Sequence, residues 1–155
     1  MAIIKYVIVM VSVWASLTGV ASAETLKCEL HITNSLTKSV GPVSSPMSED
    51  TIEASQRAGV CIATDGRVAE KQFVVITKRK GDGSESGRGM SYYSFPNGDG
   101  IHAEFVYSQT KDSFELKYDI LSGSGSYQGA KGNGNATFNR ATETTLVLDI
   151  TFNLL

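Results

Sequence analysis

Residues Asp119 to Phe138 read DILSGSGSYQGAKGNGNATF and place five glycines (Gly123, Gly125, Gly129, Gly132 and Gly134) within twelve positions, with Tyr127 the one large apolar side chain among them. A helix interior is excluded, because each glycine costs a helix about 1 kcal/mol relative to alanine. A regular strand is weakened by glycine too, which marks bends and close backbone approaches instead. Yet clear strand patterns lie on both sides. Phe114, Leu116, Tyr118 and Ile120 alternate with Glu115, Lys117 and Asp119; Leu146, Leu148, Ile150, Phe152 and Leu154 alternate with Val147, Asp149, Thr151 and Asn153. Period-two alternation of this kind is the signature of a strand with one dry and one wet face. The glycine stretch therefore reads as a strand, a corner that permits positive φ, and a second strand over 132–139. Tyr127 is expected to plug one end of the structure, and Gly129→Val to damage folding rather than remove an activity.

Working outward, the same reading finds further strands. Leu26, Cys28, Leu30 and Ile32 share one face of a strand over 24–34. A second strand over 58–64 ends at Asp65-Gly66, a strong hairpin dipeptide. Phe73 to Thr77 is the most β-prone run of the chain and makes a third. Residues 81–87 read as a glycine-rich loop, 90–95 as a fourth strand, and 96–100 as a tight turn. Ile101, Ala103, Phe105 and Tyr107 form the dry face of a fifth. Ser35 to Ser55 carries no clear alternation and is expected to be a long polar connection, with Asp50 and Glu53 as a capping box opening one helical turn.

Eight short strands without a helical period predict an all-β fold. One-sided alternation suits an eight-stranded antiparallel up-and-down barrel, which also leaves no exposed edge. A β-sandwich is the alternative. An immunoglobulin-type sandwich would need a buried Trp, and the single Trp, Trp14, lies near the N-terminus.

The first 23 residues combine Lys5, an apolar run from Tyr6 to Ala15 and Ala21-Ser22-Ala23 ahead of Glu24. That is the layout of a secretory signal peptide cleaved after Ala23, and the run is too short for a spanning helix. Residues 24–155 then form a single exported domain, periplasmic or secreted, with no membrane span. Losing residues 1–23 removes one lysine and no acid, so the net charge moves from −2 to −3. A basic nucleic-acid footprint is absent. Two cysteines remain, Cys28 and Cys61, and in an exported protein they predict one disulfide, worth about 3–4 kcal/mol in the chain-entropy model.

The chemical motifs fail one by one. Gly123, Gly125 and Gly129 are spaced GxGxxxG, and no helix pattern follows to hold a pyrophosphate, so dinucleotide binding is excluded. Asp82, Ser84 and Ser86 begin like a calcium loop, but Tyr93 stands where the closing Glu belongs. His102 and Glu104 have the zinc-deaminase H-x-E spacing without any downstream P-C-x-x-C. With His31 they read as an ordinary solvated face. No G-x-S-x-G elbow exists. No metal, no cofactor and no catalytic residue is assigned.

The run Leu121 to Gly132 between strands, followed by a last alternating strand, resembles the C-terminal part of allene oxide cyclase-like and dirigent-like barrels, where a G-(T/S)-G-x-(Y/F) turn precedes the last two strands. The match covers residues 113–155 and carries over Gly123, Gly125, Tyr127, Gly129 and Gly132 as structural positions. It implies an eight-stranded barrel, often trimeric, with an elongated pocket for an apolar or phenolic guest. The pocket carboxylate and asparagines of the plant cyclases have no counterpart motif here. Phe105, Tyr107, Phe114, Tyr118 and Phe152 are the inward aromatics expected to line such a pocket. The leading expectation is an exported binding or structural module with an apolar small-molecule guest, able to form a homo-oligomer. Its rivals are an isomerase or cyclase that steers a hydrophobic substrate by shape, and a secreted protein-interaction module working through its outer face and the 35–55 segment. Glu104 and Asp119 are expected to point outward, away from any guest.

Overall fold

A computed structural model describes residues 23–33, 38–44 and 46–155. The proposed signal segment lies outside the described residues, apart from Ala23. Nine strands form one antiparallel sheet: β1 (Glu24–Thr33), β2 (Lys38–Ser44), β3 (Thr51–Ala63), β4 (Val68–Arg79), β5 (Glu85–Ser94), β6 (Gly100–Gln109), β7 (Phe114–Ser124), β8 (Gly132–Ala141) and β9 (Thr145–Leu154). From β3 to β9 each strand pairs with the next in sequence, and β1 pairs with both β9 and β3. That closes an eight-stranded up-and-down barrel, with β2 outside the ring. The sandwich alternative is ruled out by the closure.

Closure is possible because β3 is long enough to serve two partners on one edge. Gly59 to Ala63 pair with Ile32 to Cys28 of β1, while Thr51 to Gln56 pair with Ser44 to Lys38 of β2. The expected polar connection over 35–55 is therefore wrong for residues 38–44 and 51–55, which are strand, and holds only for the turn over 46–50. The Asp50–Glu53 helical turn is wrong as well, since Glu53 lies in β3 opposite Thr77. Local alternation is weak there, and the segment becomes strand because its backbone groups are paired across the sheet, β2 by β3 alone and the first half of β3 by β2 and β4. Pro42 is accommodated in β2 as an edge strand with a register irregularity between Val40 and Val43.

The alternating side chains meet inside. Leu26, Cys28, Leu30 and Ile32 of β1, Ile101, Ala103 and Phe105 of β6, Leu116, Tyr118 and Ile120 of β7, and Leu148, Ile150, Phe152 and Leu154 of β9 are all buried. Fully burying a large apolar side chain of this kind contributes about 1.5–3 kcal/mol. Cys28 and Cys61 form a disulfide across the β1–β3 seam, with Cα atoms 5.6 Å apart.

Two strands extend beyond their sequence patterns. β4 begins five residues before Phe73, and β5 begins at Glu85, inside the stretch read as a loop. Gly87 and Gly89 do not make a turn; they face Tyr107 and Phe105 across the β5–β6 ladder. A Cβ on Gly89 would stand 2.6 Å from Phe105 Cζ. Missing side chains on β5 thus let two rings of β6 lie down against the wall.

The glycine corner sits at one end of the barrel. β7 ends at Ser124, one 3₁₀ turn (Gly125–Tyr127) follows, and the chain re-enters the sheet at Gly132. Gly125 has φ +62°, and the Asp99 side chain occupies the space its Cβ would need. Asp99 Oδ1 accepts the Ser126 N–H at 2.8 Å, and this bond with the Asn97 amide holds its carboxyl below the usual range. Tyr127 is buried against Phe95, with ring centroids 5.6 Å apart. The Arg67 guanidinium stands 5.9 Å from both rings and is anchored by Glu24 and Asp65. This end is closed.

Candidate functional site

The opposite end is hollow. It carries the β4–β5, β6–β7 and β8–β9 hairpins, and between them a cavity of about 340 Å³ opens to solvent. Its size falls in the range of small-molecule sites. Leu116, Leu146, Leu148, Ile32 and Val75 supply the apolar wall, and Phe73, Phe105, Tyr107 and Phe114 the aromatic one. Polar side chains share the lining: Glu53, Arg57, Lys71, Thr77, Arg79, Glu85 and Gln109. Near the mouth, Arg79 Nε donates to Glu85 Oε1 at 2.6 Å, and the Tyr107 and Thr77 hydroxyls bond at 2.9 Å. Glu53 and Arg57 enter from β3, and Arg57 Nε is buried without a hydrogen-bond partner among the described residues.

The floor of the cavity is Lys71. Alternation along β4 turns Ala69, Lys71, Phe73 and Val75 inward together, so a lysine takes a core position and is only 1% exposed. Its Nζ donates to the Tyr118 hydroxyl at 2.9 Å, and Tyr93 donates to the same oxygen at 3.2 Å. Four rings surround the nitrogen, with centroids at 4.6 Å (Phe73), 5.1 Å (Tyr93 and Tyr118) and 5.3 Å (Phe105). Among the described residues no carboxylate forms an ion pair with it. Taking an ammonium out of water without a counter-ion favours the neutral amine. Burial accordingly lowers the Lys71 pKa from 10.5 to about 7. The same burial raises the Tyr93 and Tyr118 hydroxyls, so both stay neutral.

Beneath the lysine the barrel is solid. Phe152 packs edge-on against Tyr93 at 5.2 Å and Tyr118 at 5.1 Å. Of the five aromatics singled out in the sequence, Phe105, Tyr107 and Phe114 line the cavity. Tyr118 and Phe152 lie in the packed layer below, where Tyr118 meets two cavity-lining residues, Lys71 and Phe105. Glu104 and Asp119 are exposed on the outer face. His102 also lies outside and stacks on Tyr92 at 4.3 Å, while His31 pairs with Glu29 at 2.6 Å. Among the described residues no group of three or more potential ligands could hold a metal ion.

Sequence reasoning missed Lys71, Arg57, Arg79 and Glu85. The signal for Lys71 was present: extending the Phe73–Val75 parity back by one step puts it inside. Arg57 and Glu85 lie where β3 and β5 are set by pairing rather than by hydrophobic pattern.

No family model matches the chain, and no curated protein matches it. A solved structure does: the pterocarpan synthase dirigent protein GePTS1, with a TM-score of 0.55 and 13% identity over 85% of this chain and 83% of that one. At that identity the likeness is one of architecture, and the chain has a dirigent-like barrel fold.

Proposed function

We propose that this protein is an exported barrel that binds one small molecule with an apolar body through the open end. The observation that carries the reading is the asymmetry of the barrel, solid at the glycine-corner end and hollow over Lys71 at the other. A guest that fills the cavity removes aromatic and aliphatic surface from water, and one polar group on it meets the lysine. Export is part of the proposal, supported by the disulfide, which persists in oxidising compartments. N-terminal sequencing of protein recovered from the exporting host should begin at Glu24.

Thermal-shift titration with fatty acids and simple phenols tests the binding. A stabilising shift is expected for the parent and its loss for Val75→Phe, which fills the cavity. A panel with no shift at all would leave only a structural role. A second reading, in which the barrel steers a hydrophobic substrate through an isomerisation or cyclisation, is favoured by the ionisable side chains inside the cavity and by the dirigent-like fold. Product analysis after incubation with the best-bound guest separates the two. Self-association belongs to the same proposal: Val74, Ile76, Met90 and Val106 form an exposed apolar strip on adjacent strands β4 to β6. Sedimentation equilibrium should then find an oligomer that Val106→Lys dissociates.

A further inference from the structure

We propose that Lys71 forms an imine with the carbonyl carbon of an aldehyde or ketone seated in the cavity. The inference rests on the binding reading above and names the chemical class of the guest. Three observations carry it. Lys71 lines the cavity, and two of the four rings around its Nζ, Phe73 and Phe105, line the same cavity. It has no ion-pair partner among the described residues, so its placement has no salt-bridge role. And a hydroxyl, Tyr118, sits 2.9 Å from the nitrogen, itself bonded to Tyr93.

Buried, unpaired ammonium groups are expensive, which is why lysines that act as nucleophiles occupy such sites. Burial lowers the Lys71 pKa to about 7, so the free amine is a substantial fraction at neutral pH. An exposed lysine is free in only about one part in three thousand at that pH. The groups facing it from β5 and β7, Tyr93 and Tyr118, are neutral; Glu53, Arg57, Arg79 and Glu85 stand in the wall above, from β3, β4 and β5.

The step balances without a co-reactant. The nitrogen lone pair attacks the carbonyl carbon, and the carbonyl π pair moves to oxygen. The nitrogen loses a proton while the oxygen gains one, with the Tyr118 hydroxyl placed to pass it. The carbinolamine then loses its second N–H proton and its hydroxyl as water, leaving a C=N bond. One aldehyde and one amine give one imine and one water.

The probes are 3-phenylpropenal and its alcohol, 3-phenylpropenol, which cannot form an imine. The purified protein is incubated with the aldehyde at pH 7 and trapped with cyanoborohydride, and peptides are mapped by mass spectrometry. Lys71 should gain the mass of one aldehyde less one oxygen, at least tenfold faster than exposed lysines such as Lys111 and Lys117. The alcohol should bind in ligand-observed NMR and compete, and Lys71→Met should lose the adduct at position 71 while Lys111 and Lys117 still label at the parental rate. Alcohol binding with label confined to surface lysines would overturn the imine and leave the binding reading intact. Neither alcohol binding nor a Lys71 adduct would overturn both.

Discussion

Replacing Lys71 with methionine should stabilise the protein at pH 7 and remove a pH dependence that the parent shows. In the unfolded chain Lys71 holds its proton up to about pH 10.5, and in the barrel only up to about 7. At about 1.4 kcal/mol per tenfold change in acidity, that difference amounts to roughly 5 kcal/mol against folding when both states are protonated. Between the two values the unfolded state carries more protons, so stability rises with pH. The penalty is complete and constant below pH 7, falls by roughly 2 kcal/mol between pH 7 and 9, and is gone above 10.5. Methionine is similar in length and apolar, and exchanging a buried charge for such a residue is commonly stabilising. It loses the hydrogen bond to Tyr118, worth about 1 kcal/mol, and the cation–π contacts to the four surrounding rings. The expected net gain at pH 7 is about 2 kcal/mol. Urea unfolding of both proteins at pH 7, 8 and 9 measures it, and their difference cancels groups common to both. Parallel profiles, or a methionine variant less stable at pH 7, would refute the reasoning.

Removing the disulfide as Cys28→Ala with Cys61→Ala should cost about 4 kcal/mol, from a loop with a sequence separation of 33, read as a fall in urea midpoint. Gly89→Val would set its Cβ against the Val74 carbonyl oxygen as well as Phe105, so it should both loosen the β4–β5 ladder, at a cost of at least about 1–3 kcal/mol, and push Phe105 toward the cavity; unchanged affinity by calorimetry would count against the role given to Phe105. At the corner, Gly129 has φ +82° but open space around it, whereas Gly125 has φ +62° and the Asp99 side chain where a Cβ would go. Gly129→Ala should therefore cost about 1–2 kcal/mol from strain alone, and Gly125→Ala should cost more; equal melting temperatures for the two would show that contact with Asp99 adds nothing.

Strands with one wet face were legible because their period survives in the residues themselves. β1, β6, β7 and β9 each alternate over at least four positions, and the parity read from Leu26, Ile101, Phe114 and Leu146 is the parity of the barrel interior. β2 and the first half of β3 were illegible for a physical reason. The first half of β3 turns Glu53, Ser55 and Arg57 inward and leaves Ile52 half exposed, the reverse of the usual polarity, and both segments are strands because neighbours pair with them. The cavity was half legible. Its aromatic wall follows from the same parity, but its charged groups lie at strand ends or in β3 and β5, where a charged residue facing inward looks from sequence like a loop residue facing water. Lys71 is the instructive case. A lysine next to a β-prone run suggests the end of a strand, and the pairing of Lys71 with Gly59 of β3 and Tyr93 of β5 carries the strand past it.

The shared edge of β3 has a mechanical consequence. The ring of hydrogen bonds is completed at the β1–β3 seam by five residue pairs, Cys28↔Ala63 to Ile32↔Gly59, and the covalent cross-link lies within that weld. Above it, on the side of the mouth, the cylinder is not welded to β1; β2 lies along β3 there like a slat that can lift without breaking the hoop. In hydrogen exchange the amides of β2, and those of Thr51 to Gln56 that face β2 rather than β4, should then be released well before those of Gly59 to Ala63. The rim would admit traffic while the base of the barrel stays shut.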